Sequence, residues 1–155
     1  EFCSAGPDRM LAAVQKGIPQ VIAPGGVDFI ITGPMEQLSP EYQKRKVMSH
    51  TPTITLVRTS VEEITTAAKL IAKRLSESNG PVLMILPTQA FGWFAMEGRP
   101  LHDSESDHAF IQAFKRNASP QIEIIEIDTH LNDPEVGKVA VSWMKKMLNG
   151  RGFTN

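Results

Sequence analysis

The chain has 155 residues, 41% hydrophobic and 21% charged, with a formal net charge of −1. One domain of this size buries about two-thirds of its unfolded surface, and the composition is that of an ordinary globular protein. The charge balance and the lack of a basic run argue against a nucleic-acid surface, no apolar run is long enough to span a membrane, and Cys3, the only cysteine, rules out an internal disulfide framework or a cysteine zinc cluster.

Cysteine usage of this kind suits a reducing, cytoplasmic compartment. The chain opens Glu1-Phe2-Cys3 without an initiator Met, so a fragment of a longer protein is expected.

Ser4-Ala-Gly-Pro-Asp8 has the grammar of a helix start, with Gly6 as cap and Pro7 in the first helical position. Met10, Leu11 and Val14 form its apolar face, and Gly17 ends it. Gln20-Val-Ile-Ala then reads as a short buried strand that Pro24 stops. Gly25 and Gly26 follow, permitting a close backbone approach, and Asp28 sits just past the turn. This corner is either a site wall or a tight turn with a capping Asp.

Phe29-Ile-Ile31 is a strand or a helical turn, residues 32–38 read as loop, and Ser39-Pro-Glu41 starts a short helix through Lys46. His50-Thr-Pro-Thr leads into a second strand at Ile54-Thr-Leu-Val-Arg58. Ser60 and Glu63 form a capping box for the clearest helix, with Ile64, Ala68, Ile71 and Leu75 on one face. Its Glu62 and Glu63 lie early and Lys73 and Arg74 late, as the macrodipole favours.

The third strand, 81–86, is wholly apolar and should be central. Residues 88–103 form a long loop carrying Gln89, Phe91, Gly92, Trp93, Phe94, Glu97 and His102. Loops of this length are usually functional, so this one is a lid or a partner surface. A helix over 104–117 points Phe110, Ala113 and Phe114 inward, and 121–128 is a fourth strand. Asp133 or Asn132 caps the last helix, Pro134 begins it, and Val136, Val139, Ala140, Trp143 and Met147 face the core.

Strand and helix in alternation predict an α/β fold: a mostly parallel sheet with helices on both faces, in three layers. In such sheets ligands gather at the carboxyl ends of the strands. The candidate ligand residues are therefore Gly25, Gly26, Asp28, Arg58, Thr59, Ser60, Gln89, Gly92 and His130, around a small, anionic ligand. Ser60 is also fully explained as a cap.

Asp128 and His130 are spaced to share a face in an extended segment, as for a metal or an acid–base pair; the alternative is a strand-end Asp and a turn His bound to backbone groups. His102-Asp103 with Asp107-His108 is a second, weaker metal pattern. No Gly-rich phosphate loop and no Gly-x-Ser-x-Gly elbow is present, so neither a self-contained nucleotide site nor a hydrolase triad is indicated.

Several blocks resemble one family, in order and at matching spacing. They are Ser4-Ala-Gly-Pro-Asp-Arg9, Gly17-Ile-Pro-Gln-Val-Ile-Ala-Pro-Gly25 with Asp28, His50 with Pro52 and Thr55-Leu-Val-Arg-Thr59, Leu86-Pro87 with Gly92, and Asp128 with His130-Leu-Asn-Asp-Pro134. The family is that of the plant tobamovirus-resistance protein and its microbial homologues. The blocks resemble the C-terminal half of its two-domain unit. The resemblance implies a Rossmann-like domain packed against an N-terminal, ATP-binding partner domain, with ATP held there rather than by this chain, and a homodimer. It supplies no catalytic residues for this half.

Overall fold

Val82–Pro87 (β5) is buried at every position, which puts it at the centre of the sheet. In the computed structural model, which describes residues 6–150, β5 lies between Gln20–Ile22 (β1) and Ile122–Ile127 (β6), parallel to both. Its side chains alternate between two cores, as the two-residue period of a strand requires. Val82, Met84 and Leu86 pack with Ile64, Ala68 and Leu75 of Val61–Ser76 (α2) and with Phe110 and Phe114 of Ser104–Asn117 (α3). Leu83 and Ile85 face the other way, onto Val136, Trp143 and Met147 of Pro134–Asn149 (α4). The result is the expected three-layer α/β arrangement, and it explains why β5 shows no polar alternation.

The strand at Ile54–Arg58 (β4) departs from expectation. It does not join the parallel sheet. It is the middle strand of a separate antiparallel sheet, between Phe29–Thr32 (β2) and Val47–Thr51 (β3). The reason is local. Only Pro52 and Thr53 separate β3 from β4, and a two-residue connection can join only antiparallel neighbours. The whole antiparallel sheet is an excursion of the chain between β1 and α2.

Two helix starts also differ. The first helix, Leu11–Lys16 (α1), begins four residues after Pro7, and Met10, at its N-cap, has a left-handed backbone and makes no side-chain cap bond. The segment ahead of it is held by Arg74, whose guanidinium donates to the Pro7 carbonyl at 2.5 Å and the Arg9 carbonyl at 3.0 Å. Ser4, in the same expected start, lies outside the described residues. The helix expected from Ser39 shrinks to one 3-10 turn, Tyr42–Lys44, because Arg45 is already extended on its way into β3.

The other caps form as read. Ser60 and Glu63 make both bonds of a capping box, Asp103 caps α3, and Asp133 with Pro134 opens α4. Among the described residues no helix is long and apolar enough to cross a membrane.

Candidate functional site

Because β1, β5 and β6 run the same way, the loops that follow them leave from one edge. They interlock there. The Thr88 amide donates to the Ile127 carbonyl at 2.9 Å, the Gln89 amide to Thr129 at 3.1 Å, and the Leu131 amide to Ala90 at 2.9 Å. Ala90 and His130 thereby form a parallel bridge beyond the strands. The β6 loop also leans on the first corner: a Cβ at Gly25 would sit 2.9 Å from Leu131 Cδ2, and Gly26 holds φ +73°, which a side chain would strain.

The end of β4 reaches the same rim by another route. Antiparallel pairing sets Arg58 opposite Phe29, directly after the β1 corner. The Thr59 amide then donates to the Asp28 carbonyl at 3.2 Å, and its hydroxyl to the Val27 carbonyl at 3.1 Å.

Beneath the rim is a buried charge cluster. Asp28, Asp107 and Arg58 are 0%, 1% and 2% exposed. Arg58 Nη2 donates to Asp107 Oδ1 at 2.5 Å and to the Asp103 carbonyl at 3.2 Å, while Nη1 lies 3.8 Å from Asp28 Oδ2. Neither Asp28 oxygen meets a donor in full hydrogen-bond geometry, nor do Asp107 Oδ2, Arg58 Nε and Arg58 Nη1 find a partner. Two carboxylates thus share one guanidinium away from water.

Burial pushes the Asp28 carboxyl above its ordinary range, against the weaker pull of its own backbone N–H and of Arg58. Burial also pushes Asp107 up, to about 6; Arg58 opposes it, and the nearby Asp28 and Asp103 add to it. Gly92 roofs this cluster, since a Cβ there would stand 3.3 Å from Asp28 Oδ2.

The nine residues singled out from the sequence divide among distinct environments. Gln89 and His130 line one cavity of about 330 Å³, together with Thr88, Glu97, His102 and Ser104. Arg58, Thr59 and Ser60 border a separate hollow of about 300 Å³ beside Lys44, Arg45 and Lys46. Gly25 borders a third, of about 220 Å³, with Ile22 and Val27. Gly26 is exposed, Gly92 is half-buried and Asp28 is enclosed. Ser60 is engaged by Glu63 in both directions, as a cap.

In the largest loop, Phe91 is core, edge-on to Phe110 at 5.0 Å, whereas Trp93 is 48% exposed under the Arg99 guanidinium at 4.7 Å.

The two metal patterns come apart. Asp128 Oδ1 accepts from the Thr88 hydroxyl at 3.0 Å and from Gln89 Nε2 at 3.4 Å. Asp103 caps α3, Asp107 pairs with Arg58, and His108 is exposed. Among the described residues no group of three metal-ligating side chains occurs.

Thr88, Met96, Glu97, His102 and Ser104 also line the cavity, although none was among the nine. For the loop residues the signal was the length of the loop, which folds back so that the His102 ring nitrogen Nδ1 meets the Ala95 carbonyl at 3.0 Å.

Parallel strands, helices on both faces and loops gathered at the strand ends define a Rossmann-like α/β domain. Residues 1–148 match the Uncharacterised protein family (UPF0261) C-terminal domain, and the chain belongs to that family.

A UPF0261 protein of Clostridium tetani is 33% identical over 147 residues, which cover 94% of this chain and 36% of that protein. A UPF0261 protein of Brucella melitensis is 33% identical over 139 residues, covering 90% and 33%. The ToMV resistance protein Tm-1(GCR237) of Solanum lycopersicum is 28% identical over 137 residues, covering 86% and 18%. The chain therefore spans about a third of the length of the bacterial relatives. The family resemblance drawn from the residue blocks holds.

Proposed function

We propose that this chain is the C-terminal domain of a two-domain protein and that its strand-end rim forms one wall of a small-ligand cleft. The observation that carries this reading is the cavity at Gln89 and His130, built where the β5 and β6 loops lock together. Concave, partly polar sites at strand ends are where open α/β sheets hold ligands. Gly25 and Gly26 would brace the β6 loop from the β1 corner, where Leu131 lies close over Gly25. Asp28, Arg58 and Thr59 would act from below, holding the β1 corner against β4 and α3 rather than touching ligand.

The rim cavity does not fit a triphosphate, because no Lys or Arg lines it and Arg58 is spent on Asp107. The ATP that the family resemblance implies is assigned to the other domain on that resemblance, and the rim cavity is left for a different ligand. Calorimetry of the full-length protein with ATP and with metabolite fractions tests the division. Gln89→Ala and His130→Ala should abolish the heat of the metabolite and spare that of ATP. Unchanged metabolite binding in both variants would overturn it.

One observation favours a second role beside the cleft. Trp93 is exposed and stacked under Arg99, which suits a contact with another protein, including a second copy of this chain. Trp93→Ser should shift the sedimentation of the full-length protein toward monomer.

A further inference from the structure

We infer that the rim cavity takes a hydrogen-bond donor, a small hydroxyl- or amine-bearing molecule, with Nε2 of His102 and the Glu97 carboxylate as its acceptors. This rests on the reading of the rim as a ligand cleft and specifies the ligand class. It departs from the anion expected of the sequence.

The inventory of polar atoms decides it. The Thr88 hydroxyl donates to Asp128 Oδ1 at 3.0 Å, and the Gln89 amide nitrogen is turned toward Asp128, 3.4 Å from Oδ1 and 3.5 Å from the main-chain carbonyl, which leaves Gln89 its carbonyl oxygen. The Ala95 carbonyl can only accept, so the His102 nitrogen that meets it, Nδ1, carries the proton. In the neutral ring the other nitrogen, Nε2, is then a bare acceptor. Glu97 is exposed and has no hydrogen-bond or ion-pair partner among the described residues. Nδ1 of His130 is enclosed without a partner.

The one formal charge on the lining is negative, and the donors left there are the Ser104 hydroxyl and one ring N–H of His130. A carboxylate or phosphate would meet Glu97 with no cation to offset it. A hydroxyl or ammonium group would find Glu97 and His102 on the same lining, forming an ion pair with Glu97 if it is an amine. The cavity, about 330 Å³, is at the small end for ligand sites, so the molecule is the size of a simple sugar or an amino alcohol.

Imidazole NMR of the full-length protein, titrated with ethanolamine, D-ribose and inorganic phosphate, tests this. The expected free state has His102 protonated at Nδ1 only. Ethanolamine or ribose should shift the His102 and His130 rings saturably, and phosphate should not. Glu97→Gln should weaken ethanolamine by about tenfold, since an ion pair is lost, and ribose by less, since the amide oxygen still accepts from a hydroxyl. A bare Nδ1 on His102, or an E97Q variant that binds ethanolamine as before, would overturn the acceptor assignment. Shifts with phosphate alone would overturn the ligand class and leave the cleft standing. No shift with any probe would overturn the cleft as well.

Discussion

Arg58 and Asp107, 49 residues apart in the chain, meet at 2.5 Å in the interior. That bond ties the end of the antiparallel excursion to the first turns of α3. Removing the guanidinium would leave Asp107 and Asp28 enclosed without their shared cation. Arg58→Met is expected to destabilise the domain by about 3–5 kcal/mol, the usual cost of breaking one side of a buried pair. Urea denaturation followed by far-UV circular dichroism measures it. A loss under 1 kcal/mol would show that the cluster does not hold the rim.

The same cluster sets a pH dependence. The Asp107 carboxyl is raised to about 6 from 3.8, so the folded chain holds that proton where the unfolded chain has released it. Stability from this group is fully present below pH 3.8 and falls as pH rises through about 6. Asp28, raised by burial, tilts the same way.

Two other groups tilt oppositely. At Glu63, burial is outweighed by Arg45 and the Ser60 N–H; at Asp133, the Glu135 N–H lowers the carboxyl. The readout is therefore a difference. Asp107→Asn, which cannot ionise, should gain stability relative to wild type as pH rises from 4 to 7, with urea midpoints as the measure.

Gly92 stands close over Asp28, but its backbone is extended, at φ −167°, so a side chain there is resisted by crowding and not by strain. Gly92→Ala is expected to cost about 1 kcal/mol, at the low end for overpacking, because Asp28 has no solvent side to move into. Thermal denaturation measures this, and a neutral result would mean that the cluster can relax.

Ser60 is a cap whose hydroxyl accepts from the Glu63 amide at 3.2 Å. Ser60→Ala should lower stability by about 1 kcal/mol. In calorimetry the same variant should leave ligand affinity at the rim unchanged. A loss of affinity without loss of stability would move Ser60 from the cap to the site.

The parts of this structure that sequence reveals are those decided locally. An unbroken apolar run placed β5 at the centre, and Ser60 with Glu63, or Asp133 with Pro134, marked helix starts without help from the rest of the chain. The hairpin of β3 and β4 was not legible, because half-exposed Val47–Thr51 carries Ser and His and has an irregular register. The burial of Arg58 was invisible for a different reason: its partner Asp107 sits on a helix whose acidic first turn needs no further explanation. His102 entered the cavity only through the fold of the long loop. The rim itself was legible at the level of corners, although β4 supplies its corner from the other sheet.

The most direct measurement is a crystal structure of the full-length protein grown with the metabolite fraction that gives a calorimetric signal. The account expects bound density against Gln89, His102 and His130, at the lip formed by the β5 and β6 loops. Density seated elsewhere, with those three side chains touching nothing but protein and water, would contradict it.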